Sequence, residues 1–152
     1  MIKVLFVCHG NICRSPMAEF ILKDILKKRG IENKFYVESC ATSTEALGLR
    51  VYSPARKILS EHGINCEGKT SRQMTREDYN KFDYIIAMDN NNLRNMKIFV
   101  GEDSEKKVSL LKDFTDTPGE VADPWYTDDF ETTYREIVKG CEGIIEKVLR
   151  SA

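Results

Sequence analysis

No stretch of the chain is both long and apolar enough to span a bilayer. The apolar run that opens it, Ile2 to Val7, is too brief for that, and too brief for a signal-peptide core with its cleavage site. Charge of one sign is missing as well. The 23 basic and 24 acidic side chains nearly cancel, and no block of like charge offers a nucleic-acid footprint or a polybasic membrane patch. Proline and glycine are sparse, at 4 and 9 of 152 residues, which beside 41% hydrophobic and 31% charged residues excludes the disordered and fibrous classes. Five cysteines, at positions 8, 13, 40, 66 and 141, form neither a secreted disulfide framework nor paired CxxC zinc half-sites. Beyond His9 the only histidine is His62, so no metal-ligand set at familiar spacing can be assembled and no cofactor is expected. What remains is a cytoplasmic, monomeric globular protein with reduced thiols and no nucleic-acid or membrane partner, whose length suits a single domain over 1–152.

What is present is an alternation of strand and helix signals. Ile2 to Val7 is short, apolar and rich in β-formers, and Pro16 to Arg29 carries Ala18, Ile21, Leu22, Ile25 and Leu26 at helical spacing. Ser15 is placed to cap that helix with Pro16 at its first position, and Gly30 to stop it. Phe35 to Glu38 reads as a second strand, and Ser53-Pro54 opens a helix that closes near Gly63. Thr75 to Asp78 resembles a capping box before a short helix. Tyr84 to Ala87 is a third strand, Asp89 caps a further helix, and Lys107 to Leu111 is a fourth strand. From about Asp128 to Leu149 a long helix aligns Phe130, Tyr134, Ile137, Val138, Cys141, Ile144, Ile145 and Val148, despite Gly140 and Gly143, which assigns Cys141 to the core. Such βα repetition predicts a three-layer α/β sandwich, flavodoxin-like, with a four-stranded parallel sheet and helices on both faces. Ligands in such folds bind beyond the carboxyl ends of the strands where strand order reverses, and the loop after the first strand is a common place for that.

That loop is Cys8-His9-Gly10-Asn11-Ile12-Cys13-Arg14-Ser15, with a thiol and a guanidinium at its two ends. A loop curled over a helix N-terminus points backbone N–H groups inward and forms an anion site, here expected to use His9 through Ser15. Arg14 adds a planar fork that matches two phosphoryl oxygens. The same positive field suits a thiolate nucleophile at Cys8. Gly10 and Asn11 tolerate the left-handed backbone that a tight curl requires. A Cys-x5-Arg spacing alone is weak among five cysteines and nine arginines; its position between a strand and a helix is what gives it weight.

The run Val7-Cys8-His9-Gly10-Asn11-Ile12-Cys13-Arg14-Ser15-Pro16 resembles the signature of the low-molecular-weight protein tyrosine phosphatase family. Ser71-Arg72-Gln73, Phe82-Asp83-Tyr84, Ala87-Met88-Asp89, Asn92-Leu93 and Asp123-Pro124-Trp125-Tyr126 follow in the family's order, so the resemblance covers essentially the whole chain. It implies hydrolysis of phosphotyrosine and other aryl phosphates, on a protein or a small molecule, through a phosphocysteine on Cys8, with inorganic phosphate as product. Arg14 would bind the phosphoryl group and Asp123 would act as general acid and then base; without the resemblance Asp123 reads as a turn former before proline. Asn11, Ser15 and Ser39 would support the loop. Cys13 would be the redox partner of Cys8, forming a reversible disulfide that shields the nucleophile.

Two relatives with the same loop are disfavoured. Arsenate reductases carry extra cysteines after the third strand, and Asp89 to Gly101 has none; bacterial arginine phosphatases carry Thr where this chain has Ile12. A non-catalytic phosphotyrosine-binding module remains the alternative from another class, although it has no use for both a thiol and an acid. Trp125 and Tyr126 are expected to wall a slot deep enough to demand a planar phenol. The opposite wall departs from the family, with Glu45-Ala46 where Trp-His is common. Glu45 at the mouth is expected to disfavour acidic peptides and to favour basic ones. Lys69 also stands where relatives often have His.

Overall fold

The computed structural model describes residues 1–151. Four strands, β1 (Ile2–Cys8), β2 (Phe35–Ala41), β3 (Tyr84–Ala87) and β4 (Val108–Leu110), form one parallel sheet in the order β2-β1-β3-β4. β1 lies inside the sheet, and this explains its composition: a strand covered by helices on both faces reads as a continuous apolar run. Val4, Leu5, Phe6 and Val7 are all fully buried.

Successive side chains of β1 enter two separate cores, as the period of a strand requires. Val4 and Phe6 pack with α1 (Arg14–Lys28), α2 (Ser53–Glu61) and α6 (Phe130–Ser151). Leu5 and Val7 pack with α3 (Arg76–Lys81) and α4 (Asn90–Val100). The result is the expected three-layer sandwich. Cys141 of α6 is buried in the first core, as its helical spacing indicates. From β1 the chain passes to β2 on one side and later to β3 on the other, so the carboxyl end of β1 is the point where strand order reverses.

Several boundaries differ from the sequence reading. Helix α1 begins at Arg14, with Cys13 as its cap residue and no side-chain cap, and Pro16 occupies the third helical position. That position still lies among the first four N–H groups, which lack a carbonyl partner in any helix, so the proline costs nothing there. The hydroxyl of Ser15 is engaged elsewhere, as described below. β2 extends to Ala41, and α6 begins at Phe130 because Asp128, with φ 58°, ends a short helix α5 (Pro124–Thr127) that the sequence does not announce. Gly30 and Gly63 follow α1 and α2 with φ of 70° and 74°, the left-handed stop that glycine supplies.

Gly140 and Gly143 face the short 3-10 helix Leu111–Phe114. A Cβ on Gly143 would lie 2.0 Å from the Phe114 carbonyl oxygen, and one on Gly140 would lie 2.5 Å from the Leu111 side chain. The glycines that interrupt the apolar stripe are therefore what lets this segment seat on α6. Gly143→Ala is expected to lower stability by about 1–3 kcal/mol through overpacking, read as a lower urea midpoint with an unchanged m-value. An unchanged midpoint would mean that the close approach constrains nothing.

Candidate active site

The loop from Cys8 to Arg14 closes over the N-terminus of α1 at the reversal point. Asn11 sits there with φ 57°, a left-handed backbone that asparagine tolerates better than most side chains. Its side chain holds that shape: Nδ2 donates to Ser15 Oγ (2.7 Å) and to Ser39 Oγ (2.9 Å), while Oδ1 accepts from the Arg72 N–H (3.3 Å). Gly10 does not share the left-handed conformation, contrary to the sequence reading. A Cβ there would meet Ile12 and Ala46 at ordinary contact distances of 3.7 and 3.9 Å. The Gly10 carbonyl is held by the Ser71 hydroxyl at 2.8 Å.

Ser15 Oγ lies 3.0 Å from Cys8 Sγ, and the Asn11 N–H donates to the same sulfur at 3.3 Å. Because Ser15 Oγ accepts from Asn11, its own hydrogen is left to the sulfur at 3.0 Å or to the Cys40 carbonyl at 3.4 Å. The serine that resembled a helix cap is committed to the thiol. Behind it the network continues inward: Ser39 Oγ donates to Glu19 Oε1 (2.6 Å), and Lys69 Nζ donates to the Ser39 carbonyl (2.8 Å) and lies 3.6 Å from Glu19. Burial pulls the Lys69 ammonium below its ordinary range, opposed by the attraction of Glu19. Sequence reasoning missed Glu19, although its place four residues after Ser15 on α1 put a carboxylate on the buried stripe of that helix.

Arg14 is 3% exposed and paired on two sides. Nη1 donates to Asp89 Oδ2 and to the Val121 carbonyl, both at 2.8 Å, and Nη2 lies 3.4 Å from Asp123 Oδ2. Burial opposes the charge of Arg14, yet the combined pull of Cys8, Asp123 and Asp89 raises its pKa. Asp89 serves two elements at once, since its Oδ1 accepts from the Asn92 N–H and caps α4, the only role the sequence suggested for it. The Val121 carbonyl could not have been anticipated from residue type. The Val121 N–H in turn donates to the Met88 carbonyl at 2.9 Å, docking the segment that carries Asp123 against the end of β3. Asp123 caps α5 by accepting from the Trp125 N–H at 3.0 Å.

These groups border one cleft of about 450 Å³, lined by Cys8, His9, Gly10, Ile12, Cys13 and Arg14 at its base and by Asp123, Trp125 and Tyr126 on one side. Glu45, Ala46 and Leu49 line the other side. The side chains of Asn11, Ser15 and Ser39 are buried behind the loop, outside the cleft lining. Glu45 Oε2 lies 2.8 Å from His9 Nε2, joining the second wall to the loop. Tyr52, which the sequence did not single out, packs on Trp125 with ring centroids 4.8 Å apart. Cys13 faces the same cleft as Cys8, and burial, followed by the negative charges of Cys8 and Asp123, pushes its thiol up to about 12. All five cysteines are free, and among the described residues no cluster suited to a metal ion occurs. Asp89→Ala removes a cap and one partner of a buried cation, so a loss of about 2–4 kcal/mol in unfolding free energy is expected by chemical denaturation; a loss under about 0.5 kcal/mol would show the ion pair to be dispensable.

The sequence model described as low molecular weight phosphotyrosine protein phosphatase matches residues 3–152. YfkJ of Bacillus subtilis, a low molecular weight protein-tyrosine-phosphatase, is 37% identical over 150 residues, covering 97% of this chain and 96% of its own. Its crystal structure superposes with a TM-score of 0.95 across 99% of this chain and 96% of that one. The Gallus gallus low molecular weight phosphotyrosine protein phosphatase is 38% identical over 149 residues, 95% of this chain and 94% of its own. A Drosophila arginine phosphatase shares the fold at 32% identity and a TM-score of 0.85, covering 97% of this chain and 98% of its own. With a family match over nearly its whole length and full-length relatives well above 30% identity, the chain belongs to the low molecular weight phosphotyrosine protein phosphatase family and is a protein-tyrosine phosphatase.

Proposed function

We propose that Cys8 is the nucleophile, Arg14 the phosphoryl-binding group and Asp123 the general acid and base in hydrolysis of phosphotyrosine and other aryl phosphate monoesters. The observation that carries this reading is the convergence on one cleft of a thiol and a guanidinium from the loop over a helix N-terminus and a carboxylate more than a hundred residues away in the chain.

In the first step the Cys8 thiolate attacks phosphorus, an S–P bond forms and the bond from phosphorus to the phenolic oxygen breaks. The protonated Asp123 gives its proton to the departing oxygen. In the second step water attacks phosphorus, its proton passes to the Asp123 carboxylate, the S–P bond breaks and inorganic phosphate leaves. Arg14 and the N–H groups of the loop from His9 to Ser15 hold the equatorial oxygens through both steps. The guanidinium that bridges Asp89, Val121 and Asp123 has Asp123 as its longest contact, at 3.4 Å. A phosphoryl group entering the cleft takes over that side of the fork, freeing Asp123 to meet the leaving oxygen.

Aryl esters are favoured over alkyl ones by the aromatic side of the cleft, where a phenol ring lies along Trp125 while its phosphate reaches the loop. The existence of an arginine phosphatase with this fold means that the fold alone does not choose the leaving group. The observation that favours tyrosine is Ile12, which lines the cleft without a hydroxyl to orient water toward a phosphoguanidine. Five free thiols, one of them required for chemistry, support a reducing, cytoplasmic setting. The reading takes the chain as one catalytic domain, supported by a single sheet against which both helical layers pack.

A phosphotyrosine peptide and a phosphoarginine peptide assayed side by side test this reading. Wild-type protein is expected to hydrolyse the phosphotyrosine peptide preferentially and Cys8→Ser to be inactive, while Asp123→Ala lowers kcat by about 10²–10⁴-fold. Preference for phosphoarginine would overturn the role given to Ile12, and phosphate binding without turnover of either peptide would overturn the catalytic assignment.

A further inference from the structure

Among the described residues nine large hydrophobic side chains are exposed, and five of them belong to the two walls of the cleft or the residues beside them: Leu47, Leu49, Tyr52, Trp125 and Tyr126. The other four, Met1, Tyr36, Ile98 and Leu149, are scattered over different elements. Exposed apolar residues occurring singly are unremarkable, whereas a group gathered around one cleft marks a surface that contacts something. Leu49 is 56% and Leu47 48% exposed; Leu49 lines the cleft, and Leu47 lies on the same turn between it and the cleft-lining Ala46. That turn is fixed from within, because the Leu49 N–H donates to the Ala46 carbonyl at 3.0 Å and the Leu47 N–H to the Thr44 carbonyl at 3.4 Å. Across the opening, Trp125 is braced by Tyr52, which also approaches Phe130 with centroids 6.1 Å apart.

Two charge pairs lie at this opening, Glu45 with His9 and Asp123 with Arg14. Between them the rim presents the exposed side chains of Leu47, Leu49, Trp125 and Tyr126. We infer that the rim formed by Leu47 and Leu49 facing Trp125 and Tyr126 is a docking surface for the polypeptide around the phosphotyrosine, and that it selects substrates with aliphatic residues directly flanking that tyrosine. Continuity with the cleft argues for this occupant. A phosphotyrosine reaching the loop brings its neighbours, spaced about 3.3–3.6 Å per residue along an extended chain, over the walls on which these side chains stand. Aliphatic neighbours would cover the two leucines and remove apolar surface from water.

The inference rests on the phosphotyrosine reading, and the experiment separates the two. Wild-type turnover of a small aryl phosphate, lost in Cys8→Ser, checks the underlying chemistry. The inference is read only from the ratio of kcat/KM between phosphotyrosine peptides flanked by leucine and by aspartate or lysine. That ratio is expected to be about tenfold in favour of leucine against either charged set, and to fall toward one in Leu47→Ser/Leu49→Ser. A wild-type enzyme active on the aryl phosphate but with a ratio near one would overturn the inference, as would a ratio unchanged by the double substitution. If the rim is instead covered by a second copy of the chain, specific activity will drop with enzyme concentration and sedimentation will show a dimer that the double substitution disperses. That result would also replace the substrate reading.

Discussion

The carboxamide of Asn11 is the constraint on which the rest of the site depends. One side chain in a left-handed turn reaches Ser15 at the start of α1, Ser39 in β2 and the backbone of Arg72. By doing so it holds four separate segments around the sulfur of Cys8. A left-handed non-glycine residue costs free energy when considered alone, as does an unpaired buried amide; here the hydrogen bonds of the amide satisfy it and hold the turn. Lose the amide and the loop has no reason to keep its curl. Ser15, 3.0 Å from the sulfur, also loses its hydrogen bond from Asn11.

Preorganisation of this kind is what the proposed chemistry requires. Enhancements for phosphate monoester hydrolysis reach about 10²¹-fold, on the order of 29 kcal/mol. A positioned acid accounts for only about 3–5 kcal/mol of that. The remainder must come from groups already aimed at the reacting phosphorus and its oxygens before substrate arrives, in a site whose donors do not have to reorganise. Arg14 suits the role proposed for it, since it is nearly inaccessible and its Nη1 is held by Asp89 and the Val121 carbonyl. Burial pushes the Cys13 thiol up to about 12, which disfavours its thiolate and is in keeping with Cys8 as the proposed nucleophile.

The sheet and most helices were legible in the sequence because they follow from periodicity. The apolar run Val4 to Val7 reads as a strand covered on both faces, and the stripe ending at Val148 as a face that packs inward. The loop was legible because Cys8, Asn11 and Arg14 are local to one another. What escaped was everything set by tertiary proximity. Asp89 looked like a cap and is also the partner of Arg14, 75 residues away; Glu19 looked like an ordinary helical carboxylate and anchors Ser39; the Val121 carbonyl has no sequence signature at all. Local rules also misled where a long-range partner outcompeted them. Ser15 had the chemistry of a helix cap, but the sulfur and Asn11 claimed its hydroxyl, and α1 starts two residues earlier without a side-chain cap. Gly140 and Gly143, which read as interruptions of α6, turned out to be the contact for the Leu111–Phe114 turn.

The central claim is that the loop delivers one sulfur, that of Cys8, to phosphorus. The most direct test is rapid quenching of an aryl phosphate reaction during its first turnover, followed by peptide mapping of the protein. The account predicts a phosphoryl group on the peptide containing Cys8, carried by the Cys8 sulfur and absent from Cys8→Ser. A phosphoryl group on His9 or Cys13, or turnover with no covalent phosphoenzyme at any time point, would contradict it.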